Sequence, residues 1–191
     1  MAIFARGERR RGGTGWGNSG EALTKGWDGA AWGMIKLGET IATKTKLVAV
    51  RAGVEAKVAV SELLTRPTVF SIYMRNNTGS CDKQNDSLVA AAGAIEAAGF
   101  NLVAVSRDSA AAHVKYAQKK RIVYTLVSDP KDVFAKAADA VVTKAMYGKT
   151  YEGPARAAFV IGVDGKVLAV IPKVEAKSHG EQVLAVLGEL K

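Results

Sequence analysis

Residues 66–81 read RPTVFSIYMRNNTGSC, and the change of character inside this stretch decides the fold. Arg66 to Met74 is a β-branched and aromatic run of the kind that fills a buried strand. Asn76-Asn77-Thr78-Gly79-Ser80 follows as a dense turn signal, and its short polar side chains also suit the start of a helix. Residues 81–98 are alanine-rich and helical in character, and Gly99 stands where a helix ends. A strand that turns directly into a helix opens a βαβ crossover, which is right-handed in nearly all sheets.

The same alternation extends to both sides. Upstream, Leu47–Arg51 and Val58–Val60 are short strand candidates joined across Ala52-Gly53. Downstream, Asn101–Ser106 is a strand and Ser109–Lys120 a helix capped by Asp108 or Ser109. Ile122–Val127 is extended, and Asp129-Pro130 opens a further helix with proline at its first position. Ala157–Ile161 and Val167–Ile171 bracket Val163-Asp164-Gly165-Lys166, where Asp-Gly between apolar runs predicts a hairpin with a type I′ turn. Ser178–Leu190 closes the chain as an amphipathic helix. The order is β-β-β-α-β-α-β-α, then hairpin and helix. An early parallel crossover and a late antiparallel hairpin require a mixed central sheet flanked by helices, the thioredoxin-like layout.

The 191 residues hold 27 Lys+Arg against 18 Asp+Glu, a formal charge of +9, with 48% apolar residues. That balance describes a globular α/β chain of one ordinary domain with an appendage, not a disordered one. The longest apolar run, Leu88–Ile95, is far too short to span a bilayer. Arg9-Arg10-Arg11 is followed by glycines instead of an apolar segment, so no secretory signal is expected and a cytoplasmic location is. Residues 1–33 contain nine of the twenty glycines and all three tryptophans, Trp16, Trp27 and Trp32. They read as a basic arm, flexible or docked, ahead of a domain over residues 34–191. The arm carries only +2 of the charge, and clustering elsewhere is slight, so no specific nucleic-acid binding is expected.

Reactive side chains are few. One cysteine and two histidines are too few for an ordinary structural zinc site, and a lone cysteine forms no internal disulfide. Gly12-Gly13-x-Gly15 lacks the strand and helix of a nucleotide loop, and no G-x-S-x-G elbow is present. Cys81 is the exception. It falls in the first turn of the predicted helix, where unpaired backbone N–H groups and the positive end of the helix dipole favour the thiolate. A small buried hydrophobe is the other reading of the same residue.

The run TVFSIYMRNNTGSC (Thr68–Cys81) resembles a peroxiredoxin, of the bacterioferritin comigratory protein or Q-type subfamily. So do Ser106-Arg107-Asp108-Ser109 with His113, Leu126–Pro130, Arg156–Val163, Asp164-Gly165-Lys166 and Ser178-His179-Gly180, in order and spacing. The resemblance covers roughly residues 45–191 and implies a thioredoxin-like fold. It implies a thiol peroxidase acting on hydrogen peroxide or alkyl hydroperoxides, with Cys81 as the nucleophile and no cofactor or metal. In the family signature P-x-x-x-T/S-x-x-C, Thr78 matches the hydroxyl that orients the peroxide. Arg156 matches the arginine that lowers the thiol pKa and steadies the leaving oxygen. By itself Arg156 would read as a surface ion-pair residue. Met74 occupies the proline position, a departure that replaces a rigid shield of the thiolate with a flexible one. The position of a second, resolving cysteine holds Asp86. Reduction would then need an external thiol such as thioredoxin, glutaredoxin or a small thiol, in a monomer or homodimer. His113 and His179 are expected to be solvated or capping residues. The rival reading is a redox-inactive thioredoxin-fold binding or scaffold protein.

Overall fold

β1 (Lys46–Arg51) and β2 (Val54–Ala59) form a hairpin whose two linking residues, Ala52 and Gly53, both take positive φ (51° and 81°). The joint is where the sequence predicts it, and β2 reaches back to Val54. Val60 does not end that strand but starts a single helical turn, α1 (Val60–Leu63), held by the Glu62 carboxylate on the Ala59 N–H at 2.7 Å. The computed structural model describes residues 33–146 and 149–190. The Gly- and Trp-rich arm expected over residues 1–33 therefore lies, Gly33 apart, outside the described residues.

β3 (Thr68–Ile72) is buried at all five positions, as its composition predicts. α2 (Gly79–Ala97) begins two residues before Cys81 and is ended by Gly99 at φ 94°. β4 (Asn101–Ser106) and α3 (Ala110–Lys120) follow, with the Ser109 hydroxyl accepting the Ala112 N–H. β5 (Thr125–Ser128) starts later than the extended segment read from residue 122. The expected helix start at Asp129-Pro130 is corrected. The Asp129 carboxylate stays outside the helix and accepts the N–H groups of Val133, Phe134 and Ala135 at 2.6, 2.9 and 3.4 Å. α4 (Val133–Ala137) therefore begins only at Val133, and Pro130 lies in the preceding turn.

Next come two strands that the sequence did not signal, β6 (Val141–Met146) and β7 (Lys149–Pro154), paired only with each other. Their apolar residues do not alternate with polar ones (VVTKAM and KTYEGP), so no apolar period of two marks them. Arg107 ties the pair to the body by donating to the Asp132 carboxylate and, at 3.3 Å, to the Glu152 carbonyl. β8 (Ala158–Ile161) and β9 (Val167–Ile171) form the late hairpin, and α5 (His179–Glu189) ends the fold. The β8–β9 connection is not the two-residue type I′ turn expected. Of its residues only Gly165 has positive φ (83°). The Gly165 N–H donates to the Gly162 carbonyl, and the Gly162 N–H to the Lys166 carbonyl. This is a three-residue loop with a left-handed glycine. A Cβ at Gly165 would also lie 2.7 Å from Thr43 Cγ2.

The seven strands order as β2-β1-β5-β4-β3-β8-β9. β3, β4 and β5 are mutually parallel in the middle, and the two hairpins extend the sheet antiparallel on either side. This is the thioredoxin-like mixed sheet with helices on both faces. Val69, Leu102 and Leu126 meet Leu88, Ile95, Tyr116, Val183 and Leu187 from α2, α3 and α5. On the opposite face Phe70, Val103 and Val127 meet α1, α4 and the segment from Met34 to Ile41. There Phe70 stacks on Phe134 with ring centroids 4.7 Å apart. Among the described residues no helix is long and apolar enough to cross a membrane.

Candidate active site

The site begins where β3 runs out. Tyr73 still pairs through its N–H with the Val105 carbonyl, and its hydroxyl donates to Asn76 Oδ1 at 2.7 Å. The Asn76 N–H is held by Asp108 Oδ2 at 2.9 Å, and Asn77 turns the chain at φ 56°. Thr78 is the residue before α2, in an extended conformation (φ −123°, ψ 140°), and its carbonyl accepts the Asp82 N–H. Its hydroxyl does not cap the helix, as the sequence alone suggested, but turns back to the Arg75 carbonyl at 2.9 Å. That leaves Cys81 as the third residue of α2, 1% exposed, in the turn where backbone N–H groups are unpaired.

Arg156 arrives from the far end of the chain. The Ile72 N–H donates to the Ala157 carbonyl at 2.8 Å, and β3 pairs antiparallel with β8. This register sets the residue before Ala157 beside the Cys81 loop. One guanidinium nitrogen, Nη2, lies 3.3 Å from Cys81 Sγ and 3.1 Å from Ser80 Oγ. The other, Nη1, donates to Gln84 Oε1 at 2.6 Å. Gln84, one turn beyond Cys81 on the same face, in turn donates to Ser71 Oγ and the Ile72 carbonyl. The structure thus brings the three residues singled out by sequence, Cys81, Thr78 and Arg156, into one cluster and adds Gln84. Burial pushes the Cys81 thiol up. Hydrogen bonds from Thr78 and from the backbone at Arg75 and Met74, together with the Arg156 charge, outweigh it, and the thiol lies below its ordinary value.

A buried, thiolate-favouring cysteine under a forked cation is a nucleophile's environment. The family described as AhpC/TSA matches residues 41–170. The chain belongs to the AhpC/TSA family. Peroxiredoxin Bcp of Xanthomonas campestris is 31% identical over 119 residues, 62% of this chain and 74% of that protein. Peroxiredoxin Bcp of Escherichia coli is 28% identical over 70% of this chain and 85% of its own length. A solved structure of the Xanthomonas campestris bacterioferritin comigratory protein, concerned with its alkyl peroxide reduction, superposes with a TM-score of 0.72. It is 26% identical, with 80% of this chain and 96% of that one covered.

Met74 stands where the resemblance implies a proline, and its side chain has a distant partner. Lys144 of β6 donates from Nζ to Met74 Sδ at 2.8 Å and to the Pro154 carbonyl at 2.6 Å. Its ammonium bridges the end of β3 and the segment that carries Arg156. Burial, then the Arg107 and Arg156 charges, hold its pKa below the usual lysine range. No local signal in the sequence pointed to Lys144, because its partners lie far away along the chain.

Asp86 faces α3, where Lys120 Nζ meets both its carboxylate oxygens at 3.0 Å and approaches Asp82 at 3.6 Å. The two histidines are corrected, since neither is solvated and neither caps a helix through its ring. Both are fully buried. His113 sits under the Cys81 loop, with Nε2 3.2 Å from the Val127 carbonyl and Nδ1 near Tyr73 and Asn76. His179 reaches Ser71 Oγ through Nε2 at 2.9 Å. Among the described residues no group of three or more His, Cys, Asp and Glu is placed to hold a metal ion.

Proposed function

We propose that this chain is a thiol-dependent peroxidase that reduces hydrogen peroxide or alkyl hydroperoxides through the single cysteine Cys81. The observation that carries this reading is Arg156 Nη2 at 3.3 Å from a Cys81 sulfur whose pKa lies below the ordinary value. The Cys81 thiolate attacks the terminal oxygen of the peroxide. A sulfur–oxygen bond forms, the oxygen–oxygen bond breaks, and the bonding pair leaves on the departing hydroxide or alkoxide, which takes a proton. Sulfur is oxidised to sulfenic acid and the peroxide is reduced to water or an alcohol. Thr78 orients the peroxide, and Arg156 holds the thiolate and offsets charge on the departing oxygen.

With one cysteine in the chain, an outside thiol must reduce the sulfenic acid. The first thiol forms a mixed disulfide and releases water, and a second releases Cys81. Thioredoxin, glutaredoxin or a small thiol would serve. We place the protein in the cytoplasm, as a monomer or homodimer, with no specific nucleic-acid or membrane partner, on charge distribution and cysteine usage. The test is peroxide consumption by wild type and Cys81→Ser, with intact mass after one equivalent of peroxide. Wild type should gain one oxygen, or a disulfide-linked partner, and Cys81→Ser neither. An unchanged wild-type mass would favour the redox-inactive binding or scaffold protein.

A further inference from the structure

His179 is a fully buried titratable group outside the proposed chemistry, and its contacts lead back to the thiol. Gln84 can be oriented without ambiguity. The Ile72 carbonyl only accepts, so the nitrogen of the Gln84 amide must face it, 3.2 Å away. Its oxygen then faces Arg156, whose guanidinium only donates. The Gln84 nitrogen also donates to Ser71 Oγ at 2.9 Å. Ser71 thereby accepts from Gln84, and its own proton points to His179 Nε2 at 2.9 Å. The Gln182 atom 3.4 Å from Nδ1 is its amide oxygen, fixed as such by the Glu175 N–H. Nδ1 therefore carries the ring proton and, in the neutral ring, Nε2 is the bare nitrogen that accepts from Ser71. Gln182 is itself held by the Glu175 N–H at 2.8 Å and donates to the Lys173 carbonyl. Burial keeps His179 neutral, with a pKa of about 4, which leaves Nε2 free to accept.

The geometry points to His179 and Ser71 as positioning residues for Arg156: the His179–Ser71–Gln84 line holds the Gln84 amide oxygen toward the guanidinium that faces Cys81. This rests on the peroxidase reading for its effect on rate, but not for its effect on the thiol. The amide of Gln84 has two nearly isosteric faces. Turned over, it would present N–H groups to a cation and release Arg156 from its 2.6 Å anchor. Ser71 adds a second, closer acceptor beside the Ile72 carbonyl for the amide nitrogen, which deepens the preference for the observed face, and His179 fixes the serine proton on the far side. α5 can deliver His179 this deep because Gly180 follows it: a Cβ there would fall 2.4 Å from the Ser87 carbonyl of α2.

A control lies on the same α2–α5 contact. Ser87 Oγ accepts the Gly180 N–H at 2.9 Å and stands outside the hydrogen-bonded line of His179, Ser71 and Gln84. The experiment measures the Cys81 pKa from the pH dependence of iodoacetamide alkylation, and beside it the rate of oxidation by hydrogen peroxide. The variants are Ser71→Ala, His179→Leu, His179→Gln and Ser87→Ala. Loss of one hydrogen bond in the line should raise the alkylation pKa by about 0.3–1 unit and slow oxidation about three- to tenfold in Ser71→Ala and His179→Leu. His179→Gln, which keeps an acceptor toward Ser71, should recover part of both, and Ser87→Ala should match wild type. Nitrogen NMR of the wild-type imidazole should show the proton on Nδ1. Wild-type pKa and rate in folded Ser71→Ala, an equal effect from Ser87→Ala, or a proton on Nε2 would each overturn the assignment. If His179→Leu does not fold, Ser71→Ala decides. A wild type inert to peroxide would sink the peroxidase reading, while the alkylation titration would still report on the line.

Discussion

At the scale of single residues, the chemistry depends on how two side chains, Thr78 and Arg156, and the backbone at Met74 and Arg75 act on one thiol. Burial alone would raise the Cys81 pKa and switch the nucleophile off, so the lowered value measures what its neighbours supply. Thr78 has one hydroxyl proton, which the structure directs to the Arg75 carbonyl, so donation to the thiolate requires the hydroxyl to turn. Arg156 contributes both charge and contact. Arg156→Ala should therefore raise the alkylation pKa of Cys81 and slow peroxide oxidation at neutral pH. The rate should fall for two reasons, less thiolate and less help for the departing oxygen. Arg156→Lys should restore part of the pKa but less of the rate, because an ammonium cannot hold Gln84 and the sulfur in one fork. The comparison is alkylation by iodoacetamide beside oxidation by peroxide over a common pH range. Identical values in wild type and Arg156→Ala would remove Arg156 from the site.

At the scale of elements, the decisive contacts are a strand register and a helix approach. The antiparallel pairing of β3 with β8 sets Arg156 beside a loop 75 residues away along the chain. α5 packs on α2 closely enough that Gly180 has no room for a side chain. Gly180→Ala should push the helices apart and destabilise the protein by about 1–3 kcal/mol, the usual cost of overpacking a tight contact. Urea unfolding reads the loss as a lower midpoint at unchanged slope. An unchanged midpoint would mean that the two helices separate at little cost.

For the whole molecule, the buried histidines set how stability depends on pH. His179 is depressed to about 4 and His113 lies below its ordinary value, in both cases first because burial disfavours the charged ring. Between pH 6.5 and 5 the unfolded chain takes up protons that the folded one refuses, so stability falls as the pH falls. Each such histidine contributes a slope of up to about 1.4 kcal/mol per pH unit in that window. Urea midpoints at pH 7 and pH 5 should differ in that direction, and less so in His179→Gln. We also propose that residues 34–191 form the folding body and residues 1–33 an appendage. Met34, Ile35 and Ile41 are already in the core. Deletion of residues 1–33 should leave the melting temperature and peroxide reactivity near wild type, whereas Ile35→Ala should cost about 2–5 kcal/mol. A large melting loss on the deletion would instead show that the arm docks.

What the sequence determined by itself was local. The β-branched run of β3, the turn from Asn76 to Ser80 and the alanine-rich helix placed Cys81 in a first helical turn, because period and turn chemistry act over a few residues. The Ala52-Gly53 joint, α3, α5 and the late hairpin were legible for the same reason, and Thr78 and Arg156 through the family resemblance. Other features depended on partners far along the chain. Asp129 caps α4 from outside the helix, which no rule about proline at a helix start anticipates. β6 and β7 carry no apolar period: Val141 and Val142 pack against the core in succession, and Arg107, itself held by Asp132, reaches the Glu152 carbonyl from a distant loop. Lys144 on Met74 spans 70 positions and His179 on Ser71 spans 108. Only the tertiary structure decides such contacts, because the hydrogen-bonding capacity of a side chain is written in its residue type but the partner that satisfies it is chosen by the packing of the sheet and its helices.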